Sequence, residues 1–270
     1  MLTFFWIIIL LYGIGWVLYL RDFYQRRNPA SLHSQVAFSV ALFSHILYFG
    51  IVTVQLGRIP IATLSETIST FVAMTAVIYW VQERRLRNYS MSAFILPVFI
   101  AMLVISALTA KPAEDIPDVL RDVKFEIHVL ATLISYGAFT VSFIVSMLFL
   151  LLSREIQRRR FGLFYRRLPS LPFFEQISDV SVNIGLIFST IGLGMGTYFA
   201  FQIWQFSFFS NPKIIIAFVN YLIYLLHFFG RRYAGWHGRR TSIISVVGFC
   251  WLLFSFIIAS MLFSGEHNFS

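Results

Sequence analysis

The chain has 270 residues, of which 58% are hydrophobic and only 12% charged, and its mean hydropathy is +0.77. Soluble domains carry about 25% charged residues, so water is excluded as the solvent of most of this chain. The net charge of +9 raises nucleic acid as a partner, but the placement of the basic residues accounts for it as an orientation signal, and no nucleic-acid partner is expected. The single cysteine, Cys250, lies within an apolar run. With no second thiol there is no disulfide, thiol-redox pair or cysteine metal site.

Crossing a hydrocarbon core of about 30 Å takes roughly 17–25 apolar helical residues, and eight stretches meet that length. Thr3–Leu20 comes first. It has no basic segment before it and no small-residue cleavage site after it, so it reads as a retained helix and not a signal peptide. Val36–Leu56 follows, then an Arg58-Ile59-Pro60 turn and Leu64–Val81. Glu66 in the first turn of that third helix suits the helix dipole. Met91–Ala110 is the fourth, and Lys111–Lys124 reads as a short amphipathic helix over a cavity mouth.

Phe125–Leu152 is the fifth stretch, and a long basic linker, residues 153–179, leads to Val180–Phe201. The linker interleaves arginines with Phe161, Leu163, Phe164, Tyr165 and Leu168. It reads either as an interfacial amphipathic helix against anionic headgroups or as a plain orientation signal. No strand precedes Gly192, Gly194 and Gly196, so they indicate close helix packing and not a dinucleotide fingerprint. An aromatic, nearly uncharged linker, residues 202–213, leads to Ile214–Phe229, a short stretch flanked by Lys213 and Arg231, whose stems can snorkel. Thr241–Phe263 is the eighth. The expectation is an all-α, polytopic membrane protein with eight transmembrane helices, forming a single integral membrane domain over residues 1–270.

Linkers 1–2, 3–4, 5–6 and 7–8 carry sixteen of the 21 Lys and Arg: Arg21, Arg26, Arg27, Arg84, Arg85, Arg87, Arg154, Arg158, Arg159, Arg160, Arg166, Arg167, Arg231, Arg232, Arg239 and Arg240. The others hold Arg58, Lys111, Arg121, Lys124 and Lys213. By the positive-inside rule, this alternation puts both termini on the non-cytoplasmic side of a bacterial-type cytoplasmic (inner) membrane.

Ionisable residues in membrane segments are costly and therefore candidates for function. No buried series of Asp, Glu or Lys marks a proton or ion pathway, which argues against a pump. His128 lies one turn into the fifth helix and His267 just beyond the eighth, at similar height near the outer surface. Two imidazoles on opposite faces of a flat macrocycle hold six-coordinate haem iron; the plainer alternatives are a helix-start histidine and a solvated tail residue. His45 and His227 lie within the second and seventh helices, either as an inner pair or as lone histidines bonded to neighbouring helices. His33 and His237, in basic linkers, read as solvated. The segment Trp204 to Lys213 reads as an interfacial aromatic belt or as a platform for a planar ligand, with Lys213 or Arg58 meeting acidic substituents such as propionates.

Several stretches resemble the cytochrome c assembly family of haem-handling membrane proteins, of the CcsA and HemX types. Phe125-Glu126-Ile127-His128-Val129-Leu130 followed by Ser135-Tyr136-Gly137-Ala138-Phe139 is similar to the family's His-Val … Ser-Tyr-Ala-x-Phe helix. Gly235-Trp236-His237-Gly238-Arg239-Arg240, then Gly248-Phe249, is similar to its last cytoplasmic turn and final helix, and Arg58-Ile59-Pro60 to its external turn. The resemblance implies haem, b-type with histidine-ligated iron, held by an external segment matching Trp204, Phe208, Pro212 and Lys213 between His128 and His267. Ser210 and Asn211 stand where the family has Trp and Asp. His227 matches a membrane histidine that receives haem from the cytoplasmic side, and His45 would supply its partner. The implied partners are haem, apocytochrome c or a synthase partner subunit, and the lipid bilayer. Any enzymatic role would be as part of a cytochrome c haem lyase, with the thiols supplied by the apocytochrome. For the HemX type, the implied role is non-enzymatic regulation of tetrapyrrole synthesis through a cytoplasmic enzyme, glutamyl-tRNA reductase.

Overall fold

The computed structural model describes residues 2–25, 31–111, 118–159, 162–204 and 212–263. Among them are nine α-helices: α1 (Leu2–Tyr24), α2 (Leu32–Leu56), α3 (Leu64–Leu86), α4 (Ser92–Leu108), α5 (Val123–Gln157), α6 (Leu163–Arg167), α7 (Leu171–Trp204), α8 (Pro212–Arg232) and α9 (Arg239–Phe263). Each of the eight apolar stretches coincides with a helix. Six helices are long and apolar enough to cross a membrane: α1, α2, α3, α5, α7 and α8. Helix α4 is a shorter apolar helix of 17 residues, and α9 runs for 25. The protein is an all-helical, multi-pass membrane protein.

The outward faces match a bilayer. Val36, Val40, Phe43, Leu47, Ile51 and Val54 recur at helical spacing along α2 and are all exposed, as are Ile215, Phe218, Leu222, Leu226 and Phe229 along α8. Such stripes would be a liability in water but are solvated by lipid chains. Cys250 also lies on an exposed face, not in the core.

The helices form two groups. In the first, α1–α4 pack antiparallel in sequence around Tyr12, Tyr19, Phe38, Tyr79, Ile95 and Phe99. In the second, α5, α7, α8 and α9 surround Phe139, Val182, Leu186, Tyr224 and Leu252. Helices α5 and α7 run antiparallel, since His128 meets Gly192, Ser135 meets Gly185 and Ser142 meets Ser178. The groups join where α3 crosses α5 and where Gln82 and Ser181 exchange hydrogen bonds of 3.0 and 3.2 Å.

The linkers are shorter than hydropathy alone suggests. Helix α5 continues to Gln157 and α7 begins at Leu171, so the basic linker 153–179 contracts to a short connection holding α6. Arg167 of α6 donates to the carbonyls of Phe23 (2.8 Å) and Tyr24 at the end of α1. Of the expected amphipathic helix at 111–124, the described part is a 3₁₀ turn, Asp118–Arg121.

Two buried carboxylates of the first group are satisfied internally. Asp22 accepts from Ser31 N (2.8 Å), Ser31 Oγ (2.7 Å) and Ser34 Oγ (2.5 Å) at the start of α2. Glu83 accepts from Tyr19 (3.2 Å) and Ser92, which also pairs with Tyr79 at 2.8 Å. Because lipid offers no substitute acceptor, Glu83→Ala should cost about 1–3 kcal/mol and Glu83→Gln much less. The comparison is made by thermal unfolding in detergent; equal midpoints would show that this cluster does not hold α1, α3 and α4 together.

Candidate functional site

Helix α5 starts at Asp122, whose side chain caps it by accepting from Lys124 N at 2.8 Å. Glu126 in its first turn accepts from Ile59 N at 2.7 Å and fixes the 57–63 turn to α5. Just inside this end, His128 sits against α7. Its Nδ1 lies 2.8 Å from the carbonyl oxygen of Gly192. A carbonyl can only accept, so Nδ1 carries the hydrogen and Nε2 keeps its lone pair. A backbone carbonyl holding one ring nitrogen so that the other is free is the usual support of a metal-ligating histidine.

The glycines of α7 make that approach possible. A Cβ at Gly196 would lie 2.7 Å from His128 Cε1, and one at Gly192 would lie 2.8 Å from Thr132 Oγ1. Gly194, between them, faces open space. Two of the three are therefore packing positions, Gly192 against Thr132 and Gly196 against the His128 imidazole.

His128 lines a cavity of about 290 Å³ between α5, α7 and α8, close to the lower end of small-molecule pockets, roughly 300–1,000 Å³. Phe125, Phe199, Ala200 and Ile214 line it toward the starts of α5 and α8 and the end of α7; Ser135, Tyr136, Ser189 and Asn220 line it further along those helices. Asn220 is buried, and its Oδ1 has no hydrogen-bond partner. An unpaired amide oxygen at this depth is costly, and it belongs to a residue that lines the cavity. Sequence inspection passes over Asn220 because an uncharged amide in an apolar helix is an ordinary interhelical bonding group.

The other expected site residues are placed differently. Arg58 is buried and makes a two-pronged pair with Glu66, 2.8 and 2.9 Å, as well as a bond to Ile59 O. It is therefore a clamp on the 57–66 turn, not a free cation for acidic substituents. His45 is buried between Tyr12 OH (3.4 Å) and Ser69 Oγ (3.1 Å), so both ring nitrogens are engaged. His227 lies in the other helix group, with Nδ1 2.9 Å from Ser245 Oγ. The Thr241 carbonyl bears on its ring, but Nε2 makes no hydrogen bond. The structure does not bring His45 and His227 together, because their partners belong to different helix groups. Trp204 ends α7 and Lys213 lies in the first turn of α8, but their side chains fall outside what is described, as do Phe208 and His267 entirely. Among the described residues, no three of the His, Cys, Asp and Glu side chains gather to hold a bare metal ion.

The model of the family described as "Cytochrome C assembly protein" matches residues 33–267. The chain belongs to the cytochrome c assembly family. Within that family it is 22% identical over 243 residues to a cytochrome c biogenesis protein CcsA of Prochlorococcus marinus, covering 80% of this chain and 77% of the relative. It is 21% identical over 264 residues to protein HemX of Bacillus subtilis, covering 97% and 95%. To protein HemX of Brevibacillus brevis it is 24% identical over 256 residues, covering 92% of each. No solved structure matches the chain.

The glycine arrangement gives a paired test for this member of the cytochrome c assembly family. Gly196→Ala should destabilise by about 1–3 kcal/mol, because its methyl group meets the His128 ring. Gly194→Ala should be neutral or stabilising by up to about 1 kcal/mol, through helix propensity alone. Thermal unfolding of both variants decides it, and equal effects would mean that His128 does not pack where it is described.

Proposed function

We propose that this chain is a haem-binding membrane protein of cytochrome c assembly, which takes haem within the bilayer and presents it at the non-cytoplasmic face. The observation that carries the reading is His128, whose Nδ1–H is held by Gly192 O so that Nε2 is left as an iron ligand beside a cavity. Haem bound there supplies the histidine-ligated iron and the vinyl carbons that become thioethers in cytochrome c. The chain's part is to bind and orient: α5 and α7 hold the imidazole, Phe125 and Phe199 wall the cavity, and Asn220 adds a polar side chain to its lining. Segment 204–213 joins, along the chain, two helices that both line the cavity, α7 through Ala200 and α8 through Ile214. In this scheme Trp204, Phe208 and Lys213 would contribute from that segment and His267 would be a second histidine holding the iron.

The proposed arrangement is one membrane domain with eight crossings, lying in a bacterial cytoplasmic membrane with both termini outside. The arginine distribution supports that orientation: Arg231, Arg232, Arg239 and Arg240 flank the turn between α8 and α9, at the end of the bundle opposite His128. His227, whose Nε2 is unpartnered near that opposite end, is the inner haem contact. His45 has a structural role, since its nitrogens are taken by Tyr12 and Ser69.

A second reading is a HemX-type regulator that acts on a cytoplasmic tetrapyrrole enzyme through the linker around α6. Its support is the nearly end-to-end match to HemX of Bacillus subtilis, 97% of this chain.

The two readings separate on the absorption spectrum of the purified protein titrated with haem. Haem handling predicts a Soret band that is lost or weakened at least about tenfold in affinity in His128→Ala, the scale of losing one metal–ligand bond's support. His45→Ala should leave the band in place. A protein that stays colourless under titration would contradict the haem reading, and pull-down of a soluble tetrapyrrole enzyme by the linker would favour the regulator.

A further inference from the structure

Along α5 and α8 the chemistry changes turn by turn. Tyr136 and Asn220 line the His128 cavity. One turn further in, Phe139 and Tyr224 stack face to face, centroids 3.5 Å apart and planes within 1°, both rings fully buried. One turn beyond them lie Ser142 and His227. Ser142 donates to Ser245 Oγ at 3.1 Å and pairs with Ser178 at 2.9 Å; Ser178 pairs with Ser146 at 3.2 Å, and Ser245 meets His227 Nδ1 at 2.9 Å. Many other hydroxyls of this protein bond back to their own helix, as Ser39, Thr53, Thr75 and Thr197 do. These four serines instead link α5, α7 and α9 and end on a histidine whose Nε2 has no partner. The His128 cavity and a compartment of packed hydroxyls around His227 thus lie in line, with one aromatic pair between them.

That pair occupies room made for it. A Cβ at Gly185 of α7 would lie 2.3 Å from Phe139 Cε1, and one at Gly248 of α9 would lie 2.9 Å from Tyr224 Cζ. Aromatic pairs prefer offset or edge-on contacts with centroids about 4.5–7 Å apart, so an unshifted sandwich is a contact that can be given up at modest cost. Tyr224 is tethered through its hydroxyl to Ser245 O at 3.4 Å, whereas Phe139 is held by packing alone and is the ring that can turn aside. Parallel faces are also the surfaces on which another flat ring system stacks.

We propose that the Phe139–Tyr224 pair is the selectivity element between the His128 cavity and the His227 compartment, closed to water and ions and yielding to a planar aromatic macrocycle that replaces the ring-on-ring contact. The proposal rests on the haem-handling reading above, and its test separates the two. The full chain carrying Cys250→Ser is given one new cysteine, Ser189→Cys in the cavity or Ser142→Cys beyond the stack. Right-side-out spheroplasts are then labelled with a charged, membrane-impermeant maleimide.

Ser189→Cys should label readily, and Ser142→Cys at least about tenfold more slowly. Adding Phe139→Ala should bring Ser142→Cys to within about threefold of Ser189→Cys. Haemin should raise Ser142→Cys labelling with the stack intact, and the non-planar amphiphile cholate should not. Phe139→Leu, which fills the space without a π face, should keep Ser142→Cys closed and abolish the haemin effect; it also serves if Phe139→Ala fails to fold. Equal labelling of the two cysteines with the stack intact would overturn the barrier. So would slow labelling of Ser142→Cys in a Phe139→Ala protein that elutes and melts normally. Normal haemin binding by absorption with labelling indifferent to haemin would overturn the macrocycle's passage and leave the haem reading standing. Absence of any haemin binding would overturn both.

Discussion

A bilayer interior offers no hydrogen-bonding partner, so each polar group carried into it must be satisfied by the protein itself. Most of what distinguishes this structure follows from that constraint. Asp22 is enclosed by the hydroxyls and backbone N–H that start α2, Glu83 by hydroxyls of α1 and α4, and Arg58 by Glu66. These contacts consume nearly all the capacity of the groups involved and fix the helices of the first group and the 57–66 turn. Among the described residues four buried side-chain atoms are left without partners, Arg84 Nε in the first helix group and Asn183 Oδ1, Asn220 Oδ1 and His227 Nε2 in the second, and they stand out against a background in which satisfaction is the rule.

The same constraint separates three histidines that look alike in sequence. His45 uses both nitrogens on neighbouring side chains and behaves as an interhelical bonding group. His128 uses one nitrogen on a backbone carbonyl and lines a cavity with its ring. His227 uses one nitrogen on a serine chain and leaves the other unpaired. A backbone carbonyl is a stronger determinant of tautomer than a hydroxyl, because it cannot donate. His128 is therefore the histidine whose proton position is fixed by its surroundings.

Much of the fold was legible in the sequence, and the site only partly. Hydropathy located all eight apolar helices, since a lipid-solvated helix is recognised by its own composition, with no reference to its neighbours. Their ends were less legible: α5 and α7 continue through Arg154 and Glu175, where charged residues end the apolar run but not the helix. His128 was visible as an ionisable residue near a helix start, and the glycines of α7 as packing positions. Asn220, Glu83 and the Phe139–Tyr224 stack were not, because their significance depends on which side chains lie laterally beside them. The Arg58–Glu66 pair was not visible for the same reason, since the two lie close in sequence yet nothing in composition says that they pair. Residue-by-residue inspection finds unusual chemistry, whereas partnership is a property of the fold.

The central claim, that His128 presents Nε2 as a lone-pair donor to the cavity, is tested most directly by ¹⁵N NMR of the histidine-labelled protein, with His128→Gln to assign the signal. The account predicts a neutral ring protonated at Nδ1, with a lone-pair Nε2 resonance that shifts when a diamagnetic gallium porphyrin is added. A His128 ring protonated at Nε2, or one whose resonances ignore the porphyrin, would contradict it.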